Sequence, residues 1–171
     1  HYLRNSEDDY IEALTHYNKF LRQYPRHEQC AYAQYQAGMS YFQRLLSPER
    51  DPLATFRAIE AFQKVSKLYP ESVYAASAEG RIVQCRRNLA EREFLIGKFY
   101  YSQLRYAAAL DRFTRQKEKY PGLYEGADFH YYFGETLWAL GRRDEGGEHL
   151  RMVIEHYPKT KYADPAKERL A

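Results

Sequence analysis

Four Tyr-Pro pairs punctuate the 171-residue chain, at 24–25, 69–70, 120–121 and 157–158. Each closes a segment whose apolar residues recur every three to four positions. A proline disfavours helical φ/ψ in the residue before it, so each pair predicts a helix end. The prolines stand 45, 51 and 37 residues apart, a drifting period that predicts stacked helical repeats carrying insertions. The clearest copy is the 34-residue stretch from Asn88 to Pro121. Phe94, Gly97, Tyr100, Tyr101 and Leu104 make one face of its first helix, and Tyr106, Ala109, Leu110, Phe113 and Lys117 one face of its second.

Counted back from the closing pair, Gly97, Tyr100, Ala109, Phe113 and Pro121 match Gly134, Leu137, Gly146, Leu150 and Pro158 at identical spacing. Small residues at Gly97/Gly134 and Ala109/Gly146 are expected where two helices of one unit approach closely. Ala58, Phe62 and Pro70, and Ala13, Tyr17 and Pro25, repeat the second half. Matching Gly38 and Tyr41 needs about eight extra residues, which the segment Ser47 to Pro52 supplies.

The pattern predicts a helix from Ser6 to Tyr24 with Asp8 and Asp9 in its first turn, and another from Glu28 to Leu46. Asp51 is expected as N-cap and Pro52 as first residue of the helix that runs through Phe56, Ile59, Phe62, Val65 and Leu68. Ser72 is expected to cap a long helix from Val73 towards Leu104, with a turn or kink allowed near Gln84 to Asn88. Further helices are expected from Tyr124 to Gly141, the latter as C′ residue, from about Asp144 to Tyr157, and over 160–171, where Asp164-Pro165 can reset the start. The whole is expected to be a single all-α solenoid domain, 1–171, of about four to five repeats with truncated ends, His1-Tyr2-Leu3 reading as the tail of an earlier helix.

Composition narrows the function classes. Apolar residues make up 44% of the chain and aromatics 16%, enough for a packed core. Lys and Arg number 26 against 23 Asp and Glu, interleaved throughout, so no single-signed field points to nucleic acid or an anionic membrane. No apolar run approaches the roughly 20 residues of a membrane helix, and no signal peptide opens the chain, so a soluble fragment or mature domain is expected. Cys30 and Cys85 are too far apart for a CxxC site and are either two small buried apolar residues or a structural disulfide.

Nothing in the sequence sets up catalysis. The histidines at 1, 16, 27, 130, 149 and 156 form no HExxH, and Glu91 and Glu93, two apart on a helix, face different directions. Gly-rich phosphate loops and a GxSxG elbow are absent, so neither an enzyme nor a cofactor is expected. What the sequence does carry is a second stripe on each first helix: Tyr32, Tyr35, Met39 and Phe42; Glu91, Phe94, Lys98 and Tyr101; Asp128, Tyr131, Glu135 and Trp138. Spacings of 3, 4 and 3 keep each set on one helix face. Such a stripe either lines a docking surface or packs against the neighbouring repeat.

The repeated glycine, aromatic and proline positions resemble the tetratricopeptide repeat. A narrower resemblance is to the BamD family, lipoproteins that help fold β-barrel proteins into the bacterial outer membrane. It rests on the insertion before Asp51-Pro52, on the long helix after Tyr69-Pro70-Glu71-Ser72-Val73-Tyr74, and on Leu89-Ala90-Glu91 and Glu93 leading into Tyr100-Tyr101. The resemblance implies a place on the periplasmic face of the outer membrane and a concave groove formed by the stripe residues. It implies two kinds of protein partner: the periplasmic domains of the barrel-forming subunit, contacted through Tyr124 to Ala171, and unfolded outer-membrane protein segments ending in aromatics. The family's lipid-bearing N-terminal cysteine is not in this chain. Tyr35, Met39 and Phe42 stand where a carboxylate clamp would need Lys or Asn, which disfavours chaperone-tail binding. Another bacterial envelope adaptor with the same repeats is the alternative.

Overall fold

A computed structural model of the chain describes residues 7–43 and 52–171. All the regular structure among them is helical: α1 (Glu7–Gln23), α2 (Cys30–Phe42), α3 (Leu53–Leu68), α4 (Val73–Ser102), α5 (Tyr106–Lys119), α6 (Ala127–Ala139), α7 (Arg143–His156) and α8 (Ala163–Leu170). The residues group into two compact units, His1–Leu89 and Ala90–Ala171. The 30-residue α4 has no break at 84–88 and contributes to both.

The Tyr-Pro signal works as expected. Tyr69, Tyr120 and Tyr157 leave their helices at φ −133°, −133° and −130°, outside the helical region that a following proline disfavours. Their N–H groups still donate to the carbonyls of Val65, Gln116 and Val153, at 2.9 to 3.0 Å, so each helix stops without orphaning that donor.

Inside each helix pair an apolar side chain of the second helix sits where the first has glycine. A Cβ on Gly38 would lie 2.6 Å from the Phe62 ring, and one on Gly97 would lie 2.5 Å from the Phe113 ring. A Cβ on Gly134 would meet the Gly146 carbonyl oxygen at 2.9 Å and Leu150 at 3.0 Å. Phe62, Phe113 and Leu150 are fully buried, which is worth about 1.5–3 kcal/mol each. The first unit packs Ala58, Phe62, Val65, Ala78, Ile82 and Cys85 together. In the second, Phe94, Ala109, Phe113, Phe129, Phe133 and Leu137 form one cluster, and Leu150, Val153 and Ala166 another. Cys30 and Cys85 are free buried thiols rather than a disulfide; Cys30 donates to the Tyr24 carbonyl, and burial pushes the Cys85 thiol up to about 11.

Several helix boundaries differ from expectation, each for a local reason. Pro52 is the flanking residue of α3, its carbonyl accepting from the Phe56 N–H, and Asp51 lies outside the described residues, as do Ser6 and the segment 44–50. Ser72 does not cap α4: its Oγ is buried without a partner, and the Ala75 N–H donates to the Ser72 carbonyl instead. The helix expected from Tyr124 begins at Ala127, because Tyr124 has φ +56°. The buried Gln116 amide fixes that turn by donating to the Tyr124 and Leu123 carbonyls at 2.8 and 3.5 Å. The last helix starts at Ala163, not 160, and so keeps Pro165, which has no N–H to donate, in its first turn.

Leu104 is the largest departure from its expected role. It lies beyond α4, 71% exposed, at φ +57°. The Arg105 N–H donates to the Tyr100 carbonyl and the Leu104 N–H to that of Tyr101, a Schellman closure. Gly141 closes α6 in the same way at φ +81°, with Arg142 bonded to Leu137 and Gly141 to Trp138. A left-handed conformation costs a residue with a Cβ about 1 kcal/mol. Leu104→Gly is therefore expected to stabilise the chain by about 0.5–1 kcal/mol, read as a higher urea midpoint at unchanged slope. Gly97→Leu, forced against the Phe113 ring, is expected to destabilise by about 3 kcal/mol in the same measurement.

Candidate interaction surface

In the first unit, α2 carries Tyr32, Tyr35, Met39 and Phe42. Their period places them along one face, and that face borders the core, so Tyr35, Met39 and Phe42 are half-buried against the cluster around Phe62. The Tyr35 ring lies 5.5 Å from those of Phe62 and Tyr74, and Phe42 carries the Arg81 guanidinium 4.9 Å above its ring. Tyr32 is the open member, 36% exposed, between Tyr17 and Tyr74. It also borders an open apolar cavity of about 440 Å³ between α1 and α2, lined with it by His16, Tyr17, Phe20, His27 and Ala33.

The second unit brings most of its expected residues together. Phe94 is the exception. It is 2% exposed, its ring in tilted contact with those of Phe113, Tyr124 and Tyr132, and belongs to the core. Lys98 sits one turn further along α4 with its ammonium 5.3 Å over the Tyr132 ring, a cation–π contact that leaves the charge partly in solvent. Tyr101 donates its hydroxyl to Glu135 Oε2 at 3.4 Å. Burial and then the Glu135 carboxylate push the Tyr101 phenol up, so it stays a neutral donor.

Glu135 is 4% exposed, and a carboxylate so placed needs charged partners. Arg169 of α8 supplies them, its Nε and a terminal nitrogen donating to Oε1 and Oε2 at 2.7 Å each. Around this fork, Tyr131 stacks 5.2 Å from Tyr162, Tyr101 lies 5.2 Å from Tyr132, and Tyr106 lies 5.6 Å from Tyr101. Trp138 is half-buried with the Arg143 guanidinium 5.8 Å over its ring. Glu91 makes no side-chain contact of this kind. Asp128 accepts from the Phe129 N–H at the start of α6.

The arrangement offers clustered tyrosine rings, two of them with a lysine ammonium over the face, which suits aromatic and polar groups of a peptide. Among the described residues, no group of three or more His, Cys, Asp and Glu could hold a metal ion, and no helix is long and apolar enough to cross a membrane. Sequence reasoning missed Tyr106, Tyr132, Tyr162 and Arg169. Tyr132 directly follows Tyr131 but falls off the 3-4-3 spacing. No local signal ties Arg169 to a carboxylate 34 residues earlier, because that pairing exists only when α8 docks.

A model of an outer membrane lipoprotein family matches residues 2–133, and a tetratricopeptide-repeat model matches residues 128–160. Among curated proteins, the chain is similar to outer membrane protein assembly factor BamD of Rickettsia prowazekii, with 28% identity over 90% of this chain and 61% of that protein. It is also similar to the proteins of the same name from Caulobacter vibrioides, at 26% identity over 95% of the chain and 52% of the relative, and from Neisseria meningitidis serogroup A, at 27% over 94% and 64%. The chain thus spans between half and two thirds of the length of these relatives.

Two stability predictions follow from this geometry. Arg169→Met strands the Glu135 carboxylate and is expected to cost about 2 kcal/mol, half-screened as Arg169 is, while adding Glu135→Leu recovers most of the loss in a urea double-mutant cycle. Tyr35→Ala and Phe42→Ala are each expected to cost about 2 kcal/mol, whereas Tyr32→Ala stays within about 0.5 kcal/mol.

Proposed function

The chain belongs to the BamD family of outer membrane lipoproteins, built from tetratricopeptide repeats, and from that membership we propose that it is a non-enzymatic scaffold for assembling β-barrel proteins into the outer membrane. The family match over residues 2–133 is the observation that carries this reading. Membership associates the chain with the periplasmic side of that membrane. Its partners in this reading are the periplasmic domains of the barrel-forming subunit, met through Tyr124 to Ala171, and unfolded barrel segments that end in aromatic residues.

In this reading the contact points are the exposed Tyr32 beside the α1/α2 cavity in one unit, and the half-buried Lys98, Tyr101, Tyr131 and Trp138 in the other. Phe94 and Glu135, being buried, act by positioning them. A half-exposed tyrosine loses little side-chain entropy on contact and offers both a ring face and a hydroxyl. Lys98 adds a cation suited to a terminal carboxylate.

Fluorescence anisotropy with a labelled peptide ending in phenylalanine, and pull-down with the purified periplasmic domains, test this directly. Binding of both is expected. Tyr32→Ala and Lys98→Ala are each expected to weaken the peptide about three- to tenfold with unchanged helicity. Failure to bind either ligand overturns the assignment, and binding of both by the two variants at full strength overturns the contact points alone.

A further inference from the structure

Two histidines meet between α6 and α7 of the second unit. His130 on α6 is 5% exposed, and its Nδ1 lies 2.9 Å from Nδ1 of His149 on α7. The rings stack with centroids 5.2 Å apart at 28°. Phe133 lies 4.5 Å from His149, and Phe129 and Tyr157 lie 5.5 and 6.4 Å from His130. His130 is thus buried, while His149 is half-buried.

Proton counting shows what this geometry tolerates. With both rings neutral, one Nδ1–H donates and the other Nδ1 accepts, the second ring carrying its proton on Nε2. A first added proton goes to the free Nε2 of the donor ring, which leaves the Nδ1–H···Nδ1 bond in place. The second has only the accepting Nδ1 left. Two N–H groups then face each other across 2.9 Å, between two cations.

The surroundings add to the resistance. Burial is the largest influence on both rings, pushing His149 down to about 4 and His130 below its ordinary value. Lys117 of α5 opposes charge on both rings, and His156 of α7 opposes it on His130. Glu125 and Asp128 favour a proton on His130, and Glu145 favours one on His149, without reversing the balance.

We propose that the His130–His149 contact is an acid-sensitive clasp between α6 and α7, closed while at least one ring is neutral and opened by the second proton. The unfolded chain binds protons near the ordinary histidine pKa of about 6.5, above the folded pair. Stability from the clasp is therefore complete above that pH, declines as the pH falls through it, and is gone near pH 4. In the first unit, by contrast, His16 and His27 are exposed, and among its described residues no two histidines are in contact.

Hydrogen exchange of the full chain at pH 7.5 and 4.5, corrected for intrinsic rates, tests the clasp. Protection in α6 and α7 is expected to fall by at least about tenfold at the lower pH while α2 and α3 change by less than about twofold. His149→Asn places an amide where Nδ1 stood, able to accept from His130 but not to titrate, and is expected to lessen the acid loss, leaving only the part that burial of His130 supplies. The clasp is overturned if the wild type keeps its protection in α6 and α7, if both units lose it equally, or if His149→Asn loses as much as the wild type. Should that variant not fold, NMR titration of the two wild-type imidazoles decides: the later of the two to protonate doing so near the ordinary value overturns the proposal, and its doing so well below that value upholds it.

Discussion

The contact on which each repeat depends is an apolar side chain of the second helix pressed onto a glycine of the first. Phe62 on Gly38 and Phe113 on Gly97 leave no room for a Cβ, and Leu150 with the Gly146 carbonyl closes somewhat less tightly on Gly134. Close approach of this kind sets which residues of the first helix end beneath the second and which stay beside it. The stripe residues stand beside it, one to six positions from the glycine. The half-burial of most of them is thus a consequence of the same contact that holds the pair together. In the last pair the approach is backbone to backbone, and α6 and α7 come near enough for two histidine side chains to hydrogen-bond.

Around that frame, polar interior groups decide what the repeats present. Glu135 faces away from the helix pair yet stays buried, so it demands the Arg169 fork and the Tyr101 hydroxyl. Satisfying one carboxylate in this way links α4, α6 and α8 and holds tyrosines from each in place. A surface held by interior hydrogen bonds loses less entropy on binding than one of free side chains. The scaffold reading proposed above rests on this property, since held aromatic faces suit recognition by shape.

Much of the fold was legible because its signals are local. A proline restricts the residue before it in any context, and the apolar period follows from helix geometry, so the number, order and ends of the helices could be read from spacing. The glycine match at 97 and 134 was legible too, since a small residue at a fixed distance from a bulky one has a steric meaning. Less legible were the helix starts. Tyr124 takes a left-handed φ only because a buried Gln116 amide binds its carbonyl, and Ser72 leaves its hydroxyl unused because the backbone closes the turn without it.

The surface divides along the same line. That three helices carry an aromatic and charged stripe was determined by the sequence alone, through a spacing that any helix converts into a face. Which members stay open was decided by tertiary packing: Tyr32 borders a cavity, Phe94 is swallowed by Phe113 and Tyr132, and Glu135 is claimed by an arginine 34 residues away. The His130–His149 contact also needed the fold, since nothing in a 19-residue separation signals two rings back to back. Periodicity specifies a side chain's direction from its own helix axis. What lies in that direction depends on how closely the next helix packs, and this is set by atoms far away in the chain.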